Sequence, residues 1–235
     1  LAFDVGGNAV DGLHGDIHSY LQALKDGRFD VITFFAAQQW ATDAALPHLA
    51  ELPSRKVFVP TGFSALHDPR WAEYYRQMPD RMRQMDLNVF LSHGYRDATF
   101  AKEHGMANAT LIPNGAASEE FDGPRDPAFR SANGIGPDQQ VVVHIGSYTG
   151  IKGHREAIAM FVKARTRNAV LLLIGNGNAR LKAHFQRHWR YSLLRLMARL
   201  KHKHILFLEL DRQGTVSALK EADLFLFPSN VECSP

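Results

Sequence analysis

The residues best placed to do chemistry lie in VVVHIGSYTGIKGH (141–154), where Lys152 stands among glycines at 146, 150 and 153. The run Val141 to Ile145 suits a parallel strand covered on both faces, and a helix is expected to begin near His154. A strand end that opens into a helix N-terminus gathers unpaired N–H groups and the positive end of a helix dipole. Glycines let another group approach that backbone closely, and Lys152 adds a full positive charge. The combination suits a phosphate or diphosphate. The pattern is neither a G-x-G-x-x-G fingerprint nor a Walker P-loop, so an ordinary glycine-rich turn with a solvated lysine stays open on this stretch alone. A second turn of the kind, Gly175-Asn176-Gly177, follows the apolar run AVLLLI (169–174).

Further candidates sit where other strands end. Thr61-Gly62-Phe63 leaves the strand KVFVP (56–60), and ligands of open α/β sheets bind beyond the carboxyl ends of strands. A plain strand-to-loop turn is the simpler reading there. His93 and Arg96 follow LNVFLS (87–92); a hydrogen-bonded histidine and a surface helix arginine are their ordinary roles.

The elements that must position these residues alternate along the chain. Strands are expected at 29–35, 56–60, 87–92, 109–113, 141–145, 169–174, 205–210 and 223–227. Helices are expected at 17–25, 38–52 (broken at Pro47), 69–85 (kinked at Pro79), 95–104, 156–166 and 215–222. This alternation indicates βαβ units and parallel sheets. Residues 116–138 are rich in Asp, Glu, Pro and Gly and read as a linker. Residues 179–204 hold eight Lys and Arg with apolar residues mostly at i+4, which predicts one basic amphipathic helix. Such a helix suits either an anionic membrane surface or the cover of a sheet with a solvated outer face. The second is favoured, since every α/β domain needs covering helices.

At 235 residues the chain can fill one large core or two modest ones. A formal net charge of +3 does not point to nucleic acid. The single cysteine, Cys233, excludes an internal disulfide and a multi-cysteine zinc site, and fits a reducing compartment. No histidine spacing suggests a metal, and no apolar run is long enough to span a membrane. The sequence starts at Leu1 and stops at Pro235 within a stretch that reads as structured, so a piece of a longer protein is expected.

Four segments, in register, resemble the GT-B glycosyltransferases of the retaining group 1 (family 4) type. LIPNGAASEEF (111–121) is similar to the family's "IPNG…F" segment, HIGSYTGIKGH (144–154) to its "G…KG" loop, and LLLIGNGN (171–178) to its glycine turn. EADLFLFPSNVECSP (221–235) resembles the "aD.fl.PS..E" signature, the most specific of the set. Upstream, FDV (29–31) and VFLSHGYRDATFAKEHG (89–105) are compatible with the first domain but less diagnostic.

The resemblance implies an α/β protein of two Rossmann-like domains with parallel sheets, both incomplete here. The expected bounds are 1–122 for the acceptor-side domain, 123–138 for a linker, and 139–235 for the nucleotide-sugar-binding domain. It implies a nucleoside-diphosphate-sugar donor, a hydroxyl acceptor (a saccharide or lipid-linked saccharide), retention of anomeric configuration, and no metal or cofactor. Lys152 would neutralise the diphosphate, and Gly146, Ser147, Gly150 and Gly153 would line it. Gly175 and Gly177 would lie on the nucleoside side. Glu232, with Ser229 before it, matches the first glutamate of a Glu-x7-Glu motif expected at the donor sugar. Thr61, Gly62, Phe63, His93 and Arg96 would be acceptor-side. Polysaccharide or glycolipid synthesis in the cytoplasm, at the membrane face, is the setting that the resemblance implies.

The sequence departs from the family in three places. Ser147 stands where many members carry arginine, Thr61-Gly62-Phe63 replaces a first-domain histidine, and the motif's second glutamate would fall beyond Pro235. The first domain's glycine-rich loop is not recognisable either. These departures predict that the 235-residue piece alone is inactive. They also keep open a non-catalytic nucleotide-sugar-binding module, and a nucleotide-sugar epimerase would share fold and donor.

Overall fold

Runs of β-branched and aliphatic residues bounded by polar helical segments fold here into two compact units, each built on a four-stranded parallel sheet. A computed structural model describes residues 1–148 and 151–229.

The first unit, Leu1–Gly115, opens with an antiparallel hairpin of β1 (Val5–Asn8) and β2 (Gly12–Gly15). Sequence periodicity did not reveal it, because glycine-rich strands of four residues carry no alternation. Then come α1 (Ile17–Asp26), β3 (Val31–Phe35), α2 (Trp40–Ala45), β4 (Arg55–Val59), α3 (Ala72–Arg83), β5 (Leu87–Phe90), α4 (Arg96–Glu103) and β6 (Ala109–Leu111). The sheet order is β3-β4-β5-β6. The helix expected over 38–52 gives way to a 3-10 turn at Leu46–Glu51, where Pro47 lacks the N–H that would continue it. Phe34, Phe58, Met78 and Met82 anchor one core.

The second unit starts at Ala116. It holds α5 (Phe129–Ala132), β7 (Gln140–Ile145), α6 (His154–Lys163), β8 (Ala169–Ile174), α7 (Asn178–Arg187), α8 (Ser192–Leu200), β9 (His204–Leu208), α9 (Arg212–Glu221) and β10 (Leu224–Phe225). Its sheet order is β10-β7-β8-β9. Strand side chains alternate between faces. Val142, Leu171 and Leu173 accordingly pack with Ile158, Phe161, Leu181 and Leu194 from α6, α7 and α8. Val141, Val143, Val170 and Leu172 pack on the other face with Phe129, Ile135 and Ala218. Every residue of β8 is buried, as expected of a strand covered on both faces.

Two expectations need correction. The stretch 123–138 is not a free linker: Phe129 and Ile135 are core residues of the second unit, and Arg130 pairs with the buried Glu221 while binding the carbonyls of Gly136 and Gln139. Its polar composition hid two apolar anchors and a buried ion pair. Residues 179–204 are two helices, since His188 leaves helical geometry at ψ 135° and a 3-10 turn at Trp189–Tyr191 separates α7 from α8. Arg195 turns back to bind the carbonyls of Phe185 (2.7 Å) and His188 (3.0 Å), satisfying groups that the broken helix leaves unpaired. Among the described residues, no helix is long and apolar enough to cross a membrane.

Candidate functional site

In the second unit the chain runs β7, β8, β9 toward one edge and then returns to lay β10 on the other side of β7. Strand order therefore reverses between β7 and β10, and such a switch point opens a crevice at the carboxyl ends of parallel strands. The loop after β7 carries Gly146, Ser147 and Lys152; the segment after β10 carries Pro228 and Ser229. They meet there. Ser229 Oγ donates to the Lys152 carbonyl at 3.4 Å. A Cβ on Gly153 would sit 2.0 Å from the Pro228 carbonyl oxygen, and its φ of +73° is left-handed, so this position needs glycine twice over.

The glycine turn after β8 closes on the same loop. The Gly146 N–H donates to the Ile174 carbonyl and the Tyr148 N–H to the Asn176 carbonyl, both at 2.9 Å. A Cβ on Gly175 would meet the Gly146 carbonyl oxygen at 2.2 Å, which excludes any side chain there. Gly177 precedes α7 as Gly153 precedes α6. The two helix starts differ: the Glu209 carboxylate already accepts from the Ala179 N–H at 3.3 Å, at the start of α7. Ser147 is exposed and Lys152 half-buried, its stem against Gly146. A basic side chain beside a helix start and a glycine backbone can stabilise a polyanion.

Two histidines without an assigned role turn out to hold this arrangement. His154, the first residue of α6, is bonded through Nε2 to the Gly146 carbonyl at 3.0 Å, and His144 through Nδ1 to the Leu226 carbonyl at 3.0 Å. Their rings meet edge to face at 4.7 Å, and the second nitrogen of each is buried without a partner. Burial holds both below the usual histidine range, and the carbonyl bonds only partly offset it. Their place in HIGSYTGIKGH, one before the first glycine and one after the last, was the available signal. Next to this loop lies a cavity of about 260 Å³ lined by Tyr148, His154, Arg155, Glu156, His184 and His188, with Tyr148 Oη bonded to His184 Nδ1 at 2.6 Å. Gly150 and Glu232 lie outside the described residues.

The first unit builds its strand-end loops differently. Ala36 and Gln38 after β3, and Thr61 and Phe63 after β4, all have positive φ without being glycine. Such residues are strained, and clusters of them mark constrained loops. The buried Asp97 carboxylate holds Gly62 by accepting its N–H at 2.9 Å. Burial pushes the Asp97 carboxyl up, against the pull of the Ala98 and Gly62 N–H groups. Gln38 Oε1 accepts from Ser64 Oγ (3.1 Å), the Ala65 N–H (3.3 Å) and Tyr75 Oη (3.1 Å). Buried Asp43 takes the Tyr74 hydroxyl at 2.7 Å and the Ala9 N–H at 2.9 Å.

Of the residues expected on the acceptor side, Thr61, Gly62 and Arg96 meet at one loop: Arg96 donates to the Ser64 carbonyl at 2.8 Å and so braces it, while Asp97 holds Gly62. Phe63, expected on the acceptor side, has its ring in the core against Phe58, Tyr75 and Phe100, 1% exposed. His93 is exposed in the loop between β5 and α4. Gln38, Asp43 and Asp97 went unread in the sequence: Gln38 lies just past β3, whereas Asp43 and Asp97 sit in the first turns of α2 and α4, where an acidic residue is ordinary. Among the described residues no group of three or more His, Cys, Asp and Glu is placed to hold a metal ion.

No protein-family model matches the sequence, and no curated protein matches it. Solved structures do. Sucrose-phosphate synthase from Thermosynechococcus elongatus is 12% identical with a TM-score of 0.68 over 93% of this chain and 55% of its own. Anabaena HepE in complex with UDP and glucose gives 14% and 0.66, over 92% of this chain and 57% of its own. WaaG, a glycosyltransferase involved in lipopolysaccharide biosynthesis, gives 18% and 0.54, over 83% and 58%. The chain thus has the GT-B fold of two Rossmann-like domains, and it spans a little over half the length of these structures.

Proposed function

We propose that the chain is part of a glycosyltransferase that moves a sugar, with retention, from a nucleoside-diphosphate-sugar to a hydroxyl acceptor. The observation that carries this reading is the switch point in the second unit. There Lys152, the start of α6 and the glycine turns after β7 and β8 form a cationic, side-chain-poor cradle beside Ser229. Neighbours of the same fold include HepE with UDP and glucose bound. In the reaction the bond between the anomeric carbon and the diphosphate breaks, the acceptor oxygen bonds to that carbon on the same face, and its proton leaves with the diphosphate. Lys152 and the helix start would stabilise the charge that develops on the leaving group. The second unit would bind the donor without a metal. The loops around Thr61, Gly62 and Arg96 would serve the acceptor, and Glu232 would contact the donor sugar.

The test is a thermal-shift titration with nucleoside diphosphates and their sugars, since a ligand of the native state raises the melting temperature by mass action. One nucleotide should give a shift that Lys152→Ala abolishes. No shift with any of them, from folded protein, would leave a GT-B scaffold without a donor site.

A further inference from the structure

A helix that merely covers a sheet should turn a polar face to water. The outer face of α8 does the opposite. Leu193, Leu196 and Leu200 are 66%, 53% and 72% exposed, and at about 100° per residue they fall within roughly 60° of one another. Trp189, one turn earlier, is 73% exposed and extends the stripe. The opposite face, with Leu194 and Ala198, fills the core. This helix is therefore apolar on two sides, and only one of them is packed.

What borders the stripe identifies its partner. Residues 178–204 contain no Asp or Glu and eight Lys or Arg. Arg195, Lys201 and Lys203 spend their charge on backbone carbonyls at helix ends, whereas Arg187, Arg190 and Arg199 are exposed. Arg190 lies over the Trp189 ring at 5.6 Å. Between α6 and α8 runs a groove of about 700 Å³, lined by Arg155 and Lys163 on one side and Trp189, Arg190 and Leu193 on the other. Met160 of α6 adds a further exposed apolar side chain. A second copy of this face would bring cations against cations. A surface that offers negative charge at its boundary and hydrocarbon just beneath it complements both parts of the patch.

We propose that the second unit docks on an anionic lipid surface through Trp189, Leu193, Leu196 and Leu200, with Arg190, Arg199 and Lys163 on the lipid phosphates. The proposal stands apart from sugar transfer and needs no donor site.

Co-sedimentation of the chain with phosphatidylcholine vesicles, with and without phosphatidylglycerol, tests it. Binding should require phosphatidylglycerol and weaken with salt. Arg190→Gln and Arg199→Gln should each lower affinity about fivefold, the equivalent of ~1 kcal/mol per cation near the surface. Leu193→Glu with Leu196→Glu should abolish binding without lowering the melting temperature, because neither side chain packs in the core. Trp emission should shift to the blue on adding vesicles, and Trp189→Ala should lose that shift. Absence of binding at low salt, equal binding to neutral vesicles, or binding that survives the double Leu→Glu change would overturn the proposal. Self-association abolished by the same double change, without vesicle binding, would instead assign the stripe to a second copy.

Discussion

Each unit rests on four parallel strands, yet their strand-end loops differ in how far close backbone contact, rather than side chains, holds them. In the second unit the order β10-β7-β8-β9 contains a reversal, and backbone meets backbone there through Gly146, Gly153 and Gly175. In the first, the described strands run β3-β4-β5-β6 without a reversal, and side chains do the holding: Gln38, Asp43 and Asp97 grip loops with left-handed non-glycine residues. The difference teaches what each loop set suits. At Gly153 and Gly175 the missing Cβ makes room for the chain's own carbonyls and so brings neighbouring loops into contact, while a side-chain-braced loop fixes the shape of a surface.

The contrast can be broken most forcefully at Gly175. Gly175→Ala should destabilise the second unit by ~3 kcal/mol or more, because the new Cβ meets backbone that cannot move aside. Chemical denaturation would show it, and the proposed nucleotide binding should go with it. Next comes Asp97→Ala, which leaves the buried Gly62 N–H unsatisfied and should cost about 1–3 kcal/mol in the same measurement. Asp97→Asn keeps an acceptor for that N–H and should cost under about 1 kcal/mol, separating hydrogen bonding from charge.

Acid should distinguish the units as well. His144 and His154 have folded-state pKa values below the unfolded one, so the stability they contribute is full above about pH 6.5 and is lost as pH falls toward their folded values. Buried Asp43 and Asp97 are shifted the other way, by burial, and their contribution is present at low pH and lost as pH rises through their raised values. Hydrogen exchange followed from pH 7 to 5 should therefore show β7 and α6 loosening, an effect that His154→Gln should diminish. The smallest expected change is at Thr61, whose φ of +57° strains a β-branched residue. Thr61→Gly should be neutral or gain up to about 1 kcal/mol, the reverse sign to Gly175→Ala.

Much of the architecture was legible before folding. The run Val141–Ile145 read as a strand covered on both faces and AVLLLI (169–174) as a further strand, and the alternation of such runs with helical segments implied parallel sheets. The glycines at 146, 153, 175 and 177 marked where the loops after β7 and β8 close on one another and on the segment after β10. Less legible were the weak or borrowed signals. The β1–β2 hairpin has no periodicity to read, and Phe63 looks like a loop residue until Phe58, Tyr75 and Phe100 surround it. The 123–138 stretch passes for a linker because its two apolar anchors are outnumbered by polar residues.

The sequence by itself determined where the strands of the two parallel sheets lie, that the run 141–145 is covered on both faces, and where glycines cluster at strand ends; these follow from local residue size, branching and polarity. Only the tertiary structure decided that β10 returns beside β7, that Ser229 reaches the Lys152 carbonyl, and that His154 bonds Gly146. Those pairings join residues across sheet neighbours, and strand order is set by how whole layers pack. The same holds for α8, whose amphipathic pattern fixed a helix but not which apolar side the core would take.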